Sequence, residues 1–181
     1  MKLRKGSYDA TGLSFGIVAS KFNKFVTSRL LAECVKALTK AGATDDAVEV
    51  VRVPGAFEIP LVARQLARSG RFHAVICLGA VIRGDTPHFD YISRVVSEGI
   101  LQASMESTVP VVFGVLTTDT VAQAIERADP TKLNRGADAA ITAIEMAGVM
   151  RLLGQEGSGE IPVAAGAVSP RAGRASTRRK R

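Results

Sequence analysis

The sequence predicts an α/β protein: three layers, α/β/α, around a central parallel sheet of four strands. Three observations predict it. Short β-rich runs alternate with segments of helical apolar spacing, which is the pattern of parallel strands joined by right-handed crossovers. Two of the runs, "HAVICLGAVI" (73–82) and "PVVFGVLTT" (110–118), are continuously apolar, as for strands covered on both faces. Hydrophobic residues make up 46% of the 181 residues but aromatics only 5%, with no Trp, so Ala, Val, Ile and Leu must fill the interior, as suits helices packed on a sheet. The length fits one domain.

The elements follow in order. "LSFGIVAS" (13–20) is a short β-rich run. "TSRLLAECVKALTKAG" (27–42) has helical apolar spacing and stops at Gly42, a residue suited to a helix C-terminus. "AVEVVRVP" (47–54) reads as a strand ended by Pro54. "FEIPLVARQLARSG" (57–70) is a helix with Pro60 in its first turn and Gly70 at its end. After the strand at 73–82, "PHFDYISRVVSEGILQASMES" (87–107) is helical, and the strand at 110–118 leads to a short helix, "TVAQAIERA" (120–128). "GADAAITAIEMAGVMRLLG" (136–154) is the long last helix.

From about Gly154 the pattern fails. Residues 154–181 are rich in Gly, Ser, Ala and Pro and end "RASTRRKR", so a disordered basic tail is expected beyond a domain of residues 1–153. Residues 151–181 carry five of the seven net positive charges, which leaves residues 1–150 at only +2. A basic patch on the folded body is therefore not indicated, which argues against nucleic acid as its partner. The tail itself is read as a solvated extension, with contact to nucleic acid, another anion or an acidic partner as the alternative. Cys34 and Cys77 lie far apart in apolar segments and read as buried free thiols of a reducing compartment. No apolar run approaches the ~18 residues of a membrane helix, and "MKLRKGSYDATG" has no apolar stretch behind it, so a cytoplasmic protein is expected.

Parallel sheets bind ligands beyond the carboxyl ends of their strands. The segments there are "KFN", "GAFE", "RGDTPH" and "TTDT". Thr86 is expected to cap the third helix, with Pro87 first inside it, which sets His88 in the first turn near the positive end of the helix dipole. A neutral imidazole there suits a proton shuttle; a surface histidine at a helix start is the plainer alternative. Gly84, Asp85 and Thr86 form a strand-to-helix turn whose N–H groups can hold a phosphate, provided the Asp85 carboxylate turns away. Phe22 and Phe57 follow strand ends, where a ring either joins the core or faces a planar ligand. Glu58 and Arg127 sit at helix ends where the dipole favours their charges whatever their function. Asn134 can cap the last helix. No glycine-rich nucleotide fingerprint and no metal-ligand cluster appears.

Together "SKFN", "VPGAFEIP", "LGAVIRGDTPHFDYI", "PVVFGVLTT", "QAIERA" and "NRGADAA…AIEMA" closely resemble the lumazine synthase family over about residues 12–153. The resemblance implies a flavodoxin-like fold whose N-terminal segment adds to a neighbour's sheet. It implies condensation of 5-amino-6-(D-ribitylamino)uracil with 3,4-dihydroxy-2-butanone 4-phosphate, without metal or organic cofactor. By position, Phe22 would stack on the pyrimidine with Asn23 beside it. Ala56, Phe57 and Glu58 would hold the ribityl chain, and Val81 and Ile82 would offer backbone contacts. Gly84, Asp85 and Thr86 would meet the phosphate, with Arg127 as counter-charge and His88 as shuttle. Phe113, Arg127 and Asp138 would come from the neighbouring subunit, Asp138 orienting the histidine. Position 135 is usually Lys in the family and is Arg here, which keeps the charge but not the compact ammonium. The resemblance also implies a homo-oligomer, either a pentamer or an assembly of pentamers, with riboflavin synthase as a possible enclosed partner. The segment "DPTKLN" departs from the pattern associated with closed icosahedral shells.

Two other classes remain open on the residues alone. A flavin- or nucleotide-binding module would use the same aromatics and phosphate loop, but needs no histidine paired with an arginine. A shell protein whose role is enclosure would use the same assembly.

Overall fold

Four runs of β-branched and aliphatic residues form the sheet: β1 (Phe15–Ser20), β2 (Val48–Val53), β3 (Ala74–Ile82) and β4 (Val111–Thr118). The computed structural model describes residues 1–154. All strand pairs are parallel and the order is β2-β1-β3-β4, so β1 and β3 are central and β2 and β4 are edges. Central position explains composition: every residue of β1 and the first seven of β3 are buried.

The crossovers are α1 (Lys24–Lys40), α2 (Ile59–Ala67), α3 (His88–Ser107), α4 (Val121–Ala128) and α5 (Arg135–Gly154). One face of the sheet is covered by α1, α4 and α5 through Val26, Leu30, Cys34, Leu38, Ala124, Ala140, Ala143 and Ile144. The other is covered by α2 and α3 through Ile59, Ala63, Leu66, Val96, Ile100 and Ala103. This is the expected three-layer, flavodoxin-like arrangement. Alanine-rich helix faces allow the close approach that the scarcity of aromatics requires. At the tightest point a Cβ on Gly136 of α5 would stand 2.3 Å from the Leu30 carbonyl oxygen of α1. Gly42 ends α1 with φ of 104°, a conformation that a side chain resists. Burial pushes the Cys34 thiol up to about 12 and raises that of Cys77 further, so both are inert core thiols.

Three expectations need correction. The third helix is not capped by Thr86. Pro87 occupies the cap position, and its carbonyl accepts from Asp90 N–H at 3.0 Å, because its ring presets φ near the helical value while supplying no N–H. The second helix begins at Ile59, not at Phe57, since the Glu58 carboxylate turns back to accept from Gly55 N–H at 2.8 Å. The run at 110–118 is not covered on both faces: Phe113 is 44% exposed, because β4 is the sheet edge and the helices leave part of it bare. Within the single chain, residues 1–14 form no strand and lie against its own helices. Gly6 presses on the Glu145 carbonyl of α5, Ala10 is buried, and its N–H bonds Ala41 O at 2.8 Å. The tail expected beyond Gly154, which closes α5, lies outside the described residues.

Candidate active site

The chain order moves outward in one direction from β1 to β2 and in the other from β1 to β3 and β4. Such a reversal leaves a crevice beyond the carboxyl ends of the two central strands. A cavity of about 670 Å³ lies there. Its walls come from three consecutive strand ends: Phe22 and Asn23 after β1, Ala56, Phe57 and Glu58 after β2, and Val81 and Ile82 closing β3. Gly84, Thr86 and His88 complete it from the turn into α3.

Asn23 fixes the first wall. Its backbone takes the left-handed conformation, φ 51° and ψ 48°, and its side-chain Nδ2 donates to Ala80 O at 3.0 Å. A left-handed Asn opens α1 without a side-chain cap and aims its amide across to β3 instead. The loop holding Phe22 is tied to the second wall by its own N–H, which donates to Pro54 O at 3.0 Å. Phe22 and Phe57 stand 69% and 60% exposed, so neither ring belongs to the core. Two uncovered rings at the mouth of an apolar crevice suit a flat heteroaromatic ligand.

The turn from β3 to α3 carries unused donors. The backbone N–H groups of Gly84, Asp85 and Thr86 have no hydrogen-bond partner among the described residues. A Cβ on Gly84 would meet nothing within 4 Å, so the turn is open to an incoming group. The shift of the cap to Pro87 also leaves the Thr86 hydroxyl free of the helix. Asp85 is exposed and does not line the cavity. The arrangement can hold an anion beside an imidazole.

The remaining expected residues are not in this cavity. Phe113, Arg127, Arg135 and Asp138 line a second depression of about 580 Å³ that runs along the free edge of β4 between α3 and α5. Arg127 is half-buried and donates from Nη1 to Gln123 O at 3.2 Å. Arg135 pairs with Asp138, Nη1 to Oδ2, at 2.9 Å, so the groove keeps one positive charge, that of Arg127. Asn134 caps α5 by accepting from Ala137 N–H at 3.2 Å, as expected of it. Within one chain the expected residues thus divide into a cavity holding His88 and a groove holding Arg127.

Three residues escaped the sequence reading. Phe89 and Ile92 line the cavity next to His88, and Arg83 lies over the Phe89 ring, 4.1 Å from its centroid. Phe89 and Ile92 are one helical turn apart, a spacing that also describes an ordinary core stripe and so carried no distinguishing signal. The comparison with known families bears on the whole of this geometry. The model of 6,7-dimethyl-8-ribityllumazine synthase matches residues 12–151, a span that contains both the cavity and the groove. The chain belongs to the lumazine synthase family, transferases of riboflavin biosynthesis.

Proposed function

We propose that the chain condenses 5-amino-6-(D-ribitylamino)uracil with 3,4-dihydroxy-2-butanone 4-phosphate, releasing phosphate and water and forming 6,7-dimethyl-8-ribityllumazine. The observation that carries this reading is the turn of unbonded N–H groups, Gly84 to Thr86, beside His88 at the rim of an aromatic-walled cavity. The pyrimidine stacks on Phe22, with Asn23 and the Val81–Ile82 backbone along its edge. The ribityl chain lies by Ala56 and Phe57, with Glu58 accepting from its hydroxyls. The phosphate meets the Gly84–Asp85–Thr86 turn. The amine adds to the ketone and water leaves to give an imine. Phosphate is then eliminated, and the second amine closes the ring with loss of water. His88 moves the protons, and much of the acceleration comes from holding two reactive partners together.

The phosphate still needs a cation, and among the described residues no Lys or Arg lines the cavity. This favours a head-to-tail ring, a pentamer or an assembly of pentamers, in which the β4-edge groove of one chain closes over the cavity of the next. Phe113 then walls the pocket, Arg127 neutralises the phosphate, Arg135 adds charge, and Asp138 steers His88. The reaction is assigned to the cytoplasm, with riboflavin synthase as the consumer of the product. The test is direct: incubate the purified protein with both substrates, following lumazine fluorescence and inorganic phosphate. Equal appearance of both supports the reading; their absence from a folded, assembled protein overturns it.

A further inference from the structure

We propose that Arg83 is a positioning residue that holds the phosphate-binding turn in shape; this rests on the reading of Gly84–Thr86 given above. The turn spans Arg83 to Pro87 and makes almost no bonds of its own. Something else must fix it, because an array of free N–H groups is useful only if its geometry is set before the anion arrives.

Arg83 connects the start of the turn to what lies on either side. Its backbone N–H donates to Thr118 O at 2.9 Å, extending the β3–β4 ladder by one bond. Its Nε donates to Asp119 Oδ1 at 2.8 Å, in the link between β4 and α4. Its Nη1 reaches Asp90 Oδ1 at 3.1 Å and Oδ2 at 3.2 Å, in the first turn of α3. The guanidinium carbon stands over the ring of Phe89, a residue that also lines the cavity. One side chain therefore ties together the residue before the turn, the helix after it and the neighbouring strand's end. The hydrogen bonds that Arg83 donates to Asp119 and Asp90 raise its pKa, so its charge is constant over any working pH. Asp119 passes the link on: its N–H donates to Gln123 Oε1 at 2.9 Å, and the Gln123 carbonyl accepts from Arg127.

Both ion pairs are exposed, and single surface ion pairs contribute little to stability. The fork suits position better than stability. Two carboxylates on different segments and a ring beneath define the guanidinium plane, which an ammonium cannot reproduce.

The experiment is steady-state kinetics of the assembled enzyme with Arg83→Met, Arg83→Lys and Asp119→Asn, together with inorganic phosphate as competitive inhibitor and a melting curve. Arg83→Met should raise KM for the butanone phosphate and Ki for inorganic phosphate together, by about tenfold. The pyrimidine KM should stay within about twofold and the melting temperature near that of the parent. Arg83→Lys should recover only part, and Asp119→Asn should give a smaller rise in the same two constants. Unchanged phosphate constants in both Arg83→Met and Asp119→Asn overturn the proposal. So does a loss shared by all constants and the melting temperature in both variants, which would mark Arg83 as merely structural. If the parent makes no lumazine, its affinity for inorganic phosphate, titrated calorimetrically, still separates the two ideas. Binding lost in Arg83→Met then supports Arg83 while the condensation fails; equal binding overturns Arg83 as well.

Discussion

At the scale of single residues, the site separates two jobs that one substitution each can test. His88 touches the cavity and not the groove, whereas Arg127 touches the groove and not the cavity. His88→Ala should lower kcat by about 10- to 1,000-fold, the low end allowing for partners that react unaided, with pyrimidine affinity unchanged. An unaltered kcat would remove the histidine from proton transfer. Arg127→Ala should weaken use of the phosphate substrate by about 1.5–3 kcal/mol, as for loss of a charged hydrogen-bond donor, and spare pyrimidine binding. Initial rates with each substrate varied in turn distinguish the two: kcat falls in His88→Ala, whereas KM for the butanone phosphate rises in Arg127→Ala. Residue types at strand ends pointed to Phe22, Phe57 and His88 because the places where parallel strands stop are visible in local pattern. Arg83 was not legible. Its partners Asp90 and Asp119 lie 7 and 36 residues away in sequence, and no spacing rule relates them.

At the scale of elements, the packing of α1 on α5 sets how the chain's face of α1, α4 and α5 is built. Gly136 is a packing residue there, and its neighbour across the gap is backbone, which cannot rotate aside. Gly136→Ala should therefore cost about 1–3 kcal/mol, towards the upper end, and lower the melting temperature by several degrees. An unchanged melting curve would mean that the helices separate without cost. Element type was readable throughout, since periods of 2 and 3.6 and the Gly42 stop are local signals. Most boundaries were readable to within two residues, but α1 begins three residues earlier than expected, at Lys24, and α2 ends three residues earlier, at Ala67. The start of α3 misled in its cap. There residue type favoured Thr86 as cap with Pro87 inside the helix, and backbone geometry gives the cap to Pro87 instead. The strand β4 misled for a different reason. An apolar run announces that both faces will be covered, but not by which chain, and Phe113 remains half in the open.

At the scale of the whole molecule, strand order decides where the groove opens. The order β2-β1-β3-β4 makes β4 an edge, and no local pattern in the sequence states that order. If cavity and groove meet only between chains, a His88→Ala chain and an Arg127→Ala chain should rescue each other. Denatured together, mixed equally and refolded, they should regain roughly a quarter of parental activity, since each pocket draws independently on two faces of a closed ring. Separately refolded proteins should stay nearly inactive. Mixed rings shown by mass spectrometry to have formed without recovered activity would assign both residues to one subunit's pocket.

The free edge of β4 also has a kinetic meaning. If each pocket is shared between two chains, a closed ring has as many complete pockets as chains, whereas an open string always has one fewer, and a lone chain has none. Turnover per chain should therefore depend on total protein. It should be constant at high concentration and fall steeply on dilution once rings begin to open, with a lag after rapid dilution that reports how fast neighbours part. Stopped-flow dilution, read alongside light scattering, would show whether activity and ring closure decay with one time constant. A rate per chain that holds constant down to the fully dissociated protein would require each chain to complete its own site.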